Sequence, residues 1–161
     1  MSRPALFLDR DGVLNADHGY VSTPEEFEPL AGVFDALRLA AERGYALIVV
    51  TNQSGIGRGY FTQADYDLLE AHIRRLFAAE AIMLTGIYHC PHHPDAGCDC
   101  RKPRPGMILR AAREHGIDLQ RSIMVGDKPS DAQAARSAGV AAIELVTPER
   151  GLRDIVAGLV G

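Results

Sequence analysis

The chain has 161 residues, of which 47% are hydrophobic and 24% charged, and its formal net charge is −4 at pH 7. That length suits one domain with a core, and the acidic balance argues against nucleic acid or an anionic membrane as partner. No apolar run approaches the ~20 residues of a membrane span, and the start Met1-Ser2-Arg3-Pro4 has no signal-peptide pattern, so a cytoplasmic location is expected.

Short apolar runs alternate with helical patterns along the chain. Ala5-Leu6-Phe7-Leu8 reads as a first buried strand, followed by Asp9-Arg10-Asp11-Gly12. Residues 33–43 place Val33, Phe34, Leu37 and Ala40 on one helical face, with Gly44 positioned to end the helix. Ala46-Leu47-Ile48-Val49-Val50 is a second strand, rich in β-branched residues, and Thr51-Asn52-Gln53-Ser54-Gly55 comes after it. Thr62 can cap a helix of roughly residues 63–80, in which Tyr66, Leu69, Ile73, Leu76 and Phe77 recur at helical spacing. Gly86-Ile87-Tyr88-His89 is a weaker third strand. Pro105 can open a helix ending near Gly116. Ser122–Val125 is a fourth strand, followed by Gly126-Asp127-Lys128, and Ser130 can cap a helix ending at Gly139. Residues 141–146 form a fifth strand, and Thr147-Pro148 introduces a last short helix.

This alternation predicts an α/β fold, a three-layer, doubly wound, mainly parallel sheet. No repeat or linker divides residues 1–161, so one domain is expected, with no segment long enough for a separate cap. The least regular stretch, about 89–105, holds four prolines, three histidines and all three cysteines. Clustered thiols of this kind suggest metal or redox chemistry rather than a disulfide framework.

In open α/β sheets, ligands bind beyond the carboxyl ends of the strands. There the sequence gathers carboxylates, a hydroxyl, amides and an ammonium. Carboxylates at neighbouring strand tips repel unless a cation lies between them, and magnesium, held by one or two carboxylates, waters and a phosphate oxygen, suits such a site. Asp9 and Asp127 are its natural side-chain ligands. Ionised Asp9 can attack phosphorus once cations neutralise the phosphoryl charge. Asp11 falls on the same side as Asp9 if strand geometry persists, which suits an acid and base. The chain has only two lysines, Lys102 and Lys128, among 17 basic residues.

At these positions the sequence resembles the haloacid-dehalogenase (HAD) superfamily. Asp9-Arg10-Asp11-Gly12 is similar to its first motif, Thr51 to its second, Lys102 to its third and Gly126-Asp127 to its fourth. The resemblance implies a HAD-like Rossmannoid fold and residue roles. Asp9 would be nucleophile and magnesium ligand, and Asp11 would be acid/base, offering its backbone carbonyl to the metal. Thr51 and Asn52 would hold phosphoryl oxygens, Lys102 would steady nucleophile and phosphate, and Asp127 would complete the magnesium site. Asp131 reads either as a supporting acid or as a polar residue of a first helical turn.

Further segments resemble the D-glycero-D-manno-heptose 1,7-bisphosphate 7-phosphatases: Asp17-His18-Gly19-Tyr20, Thr51-Asn52-Gln53-Ser54-Gly55, Cys98-Asp99-Cys100-Arg101-Lys102-Pro103 and Gly126-Asp127-Lys128. That family implies release of the 7-phosphate through an aspartyl-phosphate, in the making of nucleotide-activated heptose for lipopolysaccharide core or surface layers. Asp17, His18, Gly19, Tyr20, Gln53, Ser54, Arg101 and Lys128 would then meet the sugar bisphosphate. Cys90, His92, Cys98 and Cys100 would hold a structural zinc, a tetrahedral Cys3His set, with His89 and His93 as rivals to His92. A histidinol-phosphate phosphatase is the competing enzyme reading, and a zinc-stabilised phosphate-binding module the non-catalytic one. A monomer is expected.

Overall fold

A computed structural model describes residues 2–161. Its main elements are β1 (Ala5–Leu8), α1 (Val33–Glu42), β2 (Ala46–Asn52), α2 (Gln63–Ala79), β3 (Gly86–Cys90), α3 (Gly106–His115), β4 (Ile123–Gly126), α4 (Pro129–Ala138), β5 (Ala142–Leu145) and α5 (Leu152–Val160). The five strands form one parallel sheet in the order β3-β2-β1-β4-β5.

Strand alternation sends side chains to two separate cores. Leu6, Leu8, Leu47, Val49 and Val125 face one side, where α1, α2 and α5 pack with Leu37, Phe77 and Ile155. Ala5, Phe7, Ile48, Val50 and Met124 face the other, against Met107 and Ile108 of α3 and Ala134 and Ala135 of α4. This gives the three layers expected of strands buried on both faces. The order places successive strands outward from β1 to β3, then returns the chain to β4 on the far side of β1. The crevice between β1 and β4 is therefore the topological switch point.

Several boundaries differ from those read in the sequence. β2 continues through Thr51 and Asn52, which pair with His89 and Cys90 of β3, so these two residues lie on the strand and not after it. Ser130 does not cap α4. The helix begins at Pro129, whose fixed φ and missing N–H suit a first helical position, and Lys128 stands at the N-cap. Thr147-Pro148 forms a tight turn closed by reciprocal Thr147–Arg150 backbone bonds of 3.1 Å. Helix α5 starts only after Gly151. By contrast Thr62 caps α2 as expected: its hydroxyl accepts from the Asp65 amide at 3.0 Å, and the Asp65 carboxylate accepts from the Thr62 amide at 2.9 Å. Among the described residues no helix is long and apolar enough to cross a membrane.

Phe77 is fully buried and meets Phe34 edge to face at 5.2 Å. Phe77→Ala is expected to cost about 3–5 kcal/mol of unfolding free energy, measured by denaturant titration.

Candidate active site

Asp9 follows β1 directly, and its amide donates to the Val125 carbonyl of β4 at 3.1 Å, which locks it over the switch point. Its Oδ1 accepts from Lys102 Nζ at 3.0 Å and from the Arg10 amide at 2.9 Å. Lys102 is 4% exposed. Its ammonium also donates to the Val50 carbonyl at 2.8 Å and lies 2.6 Å from Asp131 Oδ1, so all three of its donors are engaged. The Lys102 backbone is held as firmly. Asn52 Nδ2 donates to the Lys102 carbonyl at 3.2 Å, and Asn52 Oδ1 accepts from the Lys102 amide at 3.0 Å. The Asn52 side chain, expected to hold phosphoryl oxygens, is thus occupied in clamping the lysine.

Asp131 resolves the alternative left open by its sequence. It is 1% exposed. One oxygen meets Lys102, and the other accepts from the Asp127 and Lys128 amides at 3.0 and 3.1 Å. It is both a cap for α4 and the second anion of the lysine. Gly126 is required beside it, because a Cβ there would fall 2.3 Å from Asp131 Cβ. Gly12 is required on two counts: its φ is +89°, and a Cβ would lie 2.2 Å from Asp127 Oδ2.

Carboxyl oxygens of Asp9, Asp127 and Asp131 lie within 4.8 Å of one another, and one ammonium cannot balance three carboxylates. Burial pushes the Asp9 carboxyl above its ordinary range, with Lys102 opposing and the Asp131 charge adding. Burial and the Asp9 charge push Asp127 up to about 7. For Lys102, burial acts downward, but the charges of Asp9 and Asp131 outweigh it and the net direction is up. Asp127 Oδ1 is buried with no hydrogen-bond partner. An excess of oxygen anions with an orphaned acceptor fits a hard divalent cation such as magnesium.

Asp11 does not take the place that a continued strand would give it, because β1 ends at Leu8. Its carboxylate instead accepts from Arg10 Nε and Nη2 at 3.0 and 3.2 Å, from Asn15 Nδ2 at 3.0 Å and from Gln53 Nε2 at 3.2 Å. Gln53 also donates to Thr51 Oγ1 at 2.9 Å, so it joins Asp11 to the buried Thr51. Arg10 and Asn15 are fully buried, and sequence reasoning gave neither a role. The signal for Arg10 was an arginine set between two acids at the end of a buried strand.

The remaining expected residues surround this centre more loosely. Asp17 Oδ1 accepts from the Gly19 amide at 3.0 Å, and His18 Nε2 lies 2.9 Å from Glu28. Tyr20 has a φ of 51° and packs edge-on against Tyr60 at 4.8 Å. All four residues 17–20 are exposed, and the loop is tied to the centre through Arg10 Nη2, which donates to the Val21 carbonyl at 2.8 Å. Ser54 Oγ accepts from Arg58 Nε at 3.2 Å. Lys128 is exposed, and Arg101 keeps a buried Nη1 with no partner.

The cysteine segment closes on itself. Cys90 Sγ lies 2.9 Å from Cys100 Sγ, 3.6 Å from Cys98 Sγ and 3.4 Å from His92 Nδ1. Burial acts to raise the Cys98 thiol, yet the Arg101 amide and the neighbouring thiols bring it down to about 6. Three thiols and an imidazole within 4.8 Å could hold a metal ion, and the donor set fits zinc. The rivals are engaged elsewhere: His93 Nδ1 accepts from the Asp95 amide at 3.1 Å, and His89 stacks on Tyr66 at 4.0 Å.

In sequence and in fold the chain is similar to known HAD-like phosphatases. A family described as HAD-hydrolase-like matches residues 99–151. A Salmonella typhi protein named D-glycero-beta-D-manno-heptose-1,7-bisphosphate 7-phosphatase is 50% identical over 152 residues, covering 90% of this chain and 81% of its own. A Helicobacter pylori protein of the same name is 50% identical over 137 residues, covering 84% and 79%. Among solved structures, the D,D-heptose 1,7-bisphosphate phosphatase of B. bronchiseptica, complexed with magnesium and phosphate, superposes with a TM-score of 0.88 at 32% identity over 97% of both chains. A putative HAD-like phosphatase from Mesorhizobium loti gives 0.88 at 34% identity, covering 98% and 86%.

Asp127 carries a testable consequence. Its pKa without metal, about 7, lies above the ordinary 3.8, so its contribution to stability is complete below about pH 4 and is lost as the pH rises through 7. Magnesium competes for the ionised form. Millimolar magnesium should therefore raise the thermal midpoint at pH 8 and do far less at pH 5, and Asp127→Asn should remove the response.

Proposed function

The chain belongs to the D-glycero-D-manno-heptose 1,7-bisphosphate 7-phosphatase family of HAD-like hydrolases, and on that premise we propose that it hydrolyses the 7-phosphate of the heptose bisphosphate at Asp9. The observation that carries the reading is the buried Asp9–Lys102–Asp131 array at the β1/β4 switch point, with Asp127 Oδ1 left unpartnered beside it. A site built only to bind phosphate has no use for an anion held where the phosphorus would lie.

In the first step an Asp9 oxygen forms a bond to phosphorus, and the bond from phosphorus to the sugar oxygen breaks. Asp11, once protonated and turned out of its bonds to Arg10, Asn15 and Gln53, delivers that proton to the leaving oxygen. In the second step Asp11 takes a proton from water as the water oxygen attacks phosphorus, which releases inorganic phosphate and restores Asp9. The Thr51 hydroxyl, whose oxygen accepts from Gln53, has its proton left for a phosphoryl oxygen, and the Lys102 ammonium, its three donors spent on Asp9, Val50 and Asp131, offsets phosphoryl charge from beside Asp9. Magnesium, when held by Asp9, Asp127 and the Asp11 carbonyl, would offset the charge gathered on the phosphoryl group. Arg101 and Lys128 suit the far phosphate, Arg101 because its buried Nη1 has a free donor. Asp17, His18, Gly19 and Tyr20 line the sugar side, with Gln53 and Ser54 between. Since the relatives' name specifies the β anomer, that anomer is the substrate we assign.

Zinc, when bound by Cys90, His92, Cys98 and Cys100, would have no open position for chemistry and would fix the segment that leads into Arg101 and Lys102. One zinc per chain is expected by elemental analysis. Its removal by a chelator should lower both the thermal midpoint and turnover.

Two measurements test the reading. Asp9→Asn should abolish phosphate release while leaving the circular-dichroism spectrum and thermal midpoint near those of the parent; an active variant refutes the nucleophile. Phosphate release should be far faster from heptose 1,7-bisphosphate than from histidinol phosphate, and the reverse order would keep the chemistry but overturn the substrate.

A further inference from the structure

Two large aromatic side chains stand in the open beside the site. Tyr20 is 48% exposed and Tyr60 61%, yet they meet edge to face, with ring centroids 4.8 Å apart and planes at 82°. Tyr20 holds a φ of 51°, a left-handed backbone that a bulky side chain adopts only when its surroundings impose it. Tyr60 is fixed by its neighbours. Its amide donates to the Gly55 carbonyl at 2.8 Å, and the next residue, Phe61, is buried against Gly55, where any Cβ would collide with the Phe61 ring. The turn at 54–60 rests in its turn on the thiol segment. The Gly57 amide donates to the Pro91 carbonyl at 2.8 Å, and a Cβ on Gly57 would collide with the backbone of His93.

Both loops that carry these rings are tied to the surroundings of Asp11. The Val21 carbonyl, next to Tyr20, accepts from Arg10 Nη2, which also donates to Asp11. Gln53, where the turn towards Tyr60 begins, donates to Asp11 at 3.2 Å. The tyrosine pair thus joins the loop after β1 to the loop after β2. In an in-line displacement the leaving oxygen lies opposite the attacking Asp9 oxygen, and it must come within reach of Asp11. The sugar on that oxygen then extends from Asp11 towards solvent between the two loops. Among residues 9–23 and 52–62, Tyr20 and Tyr60 are the large hydrophobic side chains that stand exposed. Two rings set nearly at a right angle make a corner. A pyranose offers a face of C–H groups flanked by hydroxyls, and tyrosine suits both, its ring being apolar and its tip polar. We propose that Tyr60 is a specificity-determining residue: with Tyr20 it forms an aromatic corner against which the sugar ring of the substrate packs. The proposal rests on the reading of the site as a sugar-phosphate phosphatase with Asp11 beside the leaving oxygen.

The test compares heptose 1,7-bisphosphate with ethyl phosphate. The leaving oxygen is an alkoxide in both, so the two esters differ in the sugar and its second phosphate and not in their need for an acid. Tyr60→Ala is expected to lower kcat/KM about 10-fold on the heptose ester and less than about 3-fold on ethyl phosphate. The loss should fall on KM, with kcat near the parent value, because the sugar ring is touched alike before and during phosphoryl transfer. Tyr60→Phe, which keeps the ring face, should restore most of it. The chain has no Trp, so Tyr60→Trp in the Asp9→Asn background puts a single indole at the corner of a protein that does not turn over. Its emission should shift with heptose 1,7-bisphosphate and not with inorganic phosphate. Equal losses on both esters, a loss carried by kcat alone, or no loss overturn the corner, and so does an emission change that inorganic phosphate reproduces. The reading beneath it fails separately: a parent enzyme that does not favour the heptose ester over ethyl phosphate has no sugar subsite, and the corner falls with it.

Discussion

The ammonium of Lys102 is the point on which the centre depends. It is buried, and each of its three donors is spent on a different part of the fold: Asp9 after β1, the Val50 carbonyl within β2, and Asp131 in the first turn of α4. A charge in that position is tolerable only if every partner is present. The lysine comes from an irregular loop, so its backbone must be fixed from outside, and the Asn52 side chain does this from the tip of β2. Cys100 lies two residues upstream of it, and Cys90 ends β3. The thiol cluster is in this sense a second anchor for the same loop.

Around the lysine the charges do not balance. Burial, together with three carboxylates set against one ammonium, leaves Asp9 and Asp127 with raised pKa values. The imbalance is local and is of the kind a divalent cation relieves. The β1/β4 crevice can concentrate it because parallel strands end together there, and because Gly12 and Gly126 let the backbone approach where any side chain would collide with Asp127 or Asp131.

Asp9 and Asp11 are two residues apart yet live in different surroundings. Asp9 is paired with a lysine and adjoins the other carboxylates. Asp11 is enclosed by a guanidinium and two side-chain amides. Distinct environments are how two carboxylates in one site come to perform different tasks, and here the difference arises because β1 stops at Leu8 and the chain turns at Gly12.

The residue types at the strand tips were legible in the sequence. Buried strands are short apolar runs, and the residues at the carboxyl end of each run must lie at one edge of a parallel sheet, so Asp9, Thr51 and Asp127 could be placed together from order alone. The Cys and His residues could be grouped by proximity in the chain. Contacts between segments distant in sequence were not legible. That Asn52 clamps Lys102, that Asp131 is the second anion of the lysine, and that Arg10 turns inward to hold Asp11 and Val21 depend on distances of 2.6–3.2 Å set by packing. His92 was expected over His89 and His93 only through the resemblance; that its Nδ1 lies 3.4 and 3.2 Å from the Cys90 and Cys100 sulfurs is again set by packing. The sequence by itself determines which groups reach the carboxyl edge, because strand direction and period are local properties. Only the tertiary structure decides which group faces which, because a hydrogen bond depends on tenths of an ångström that no local pattern encodes.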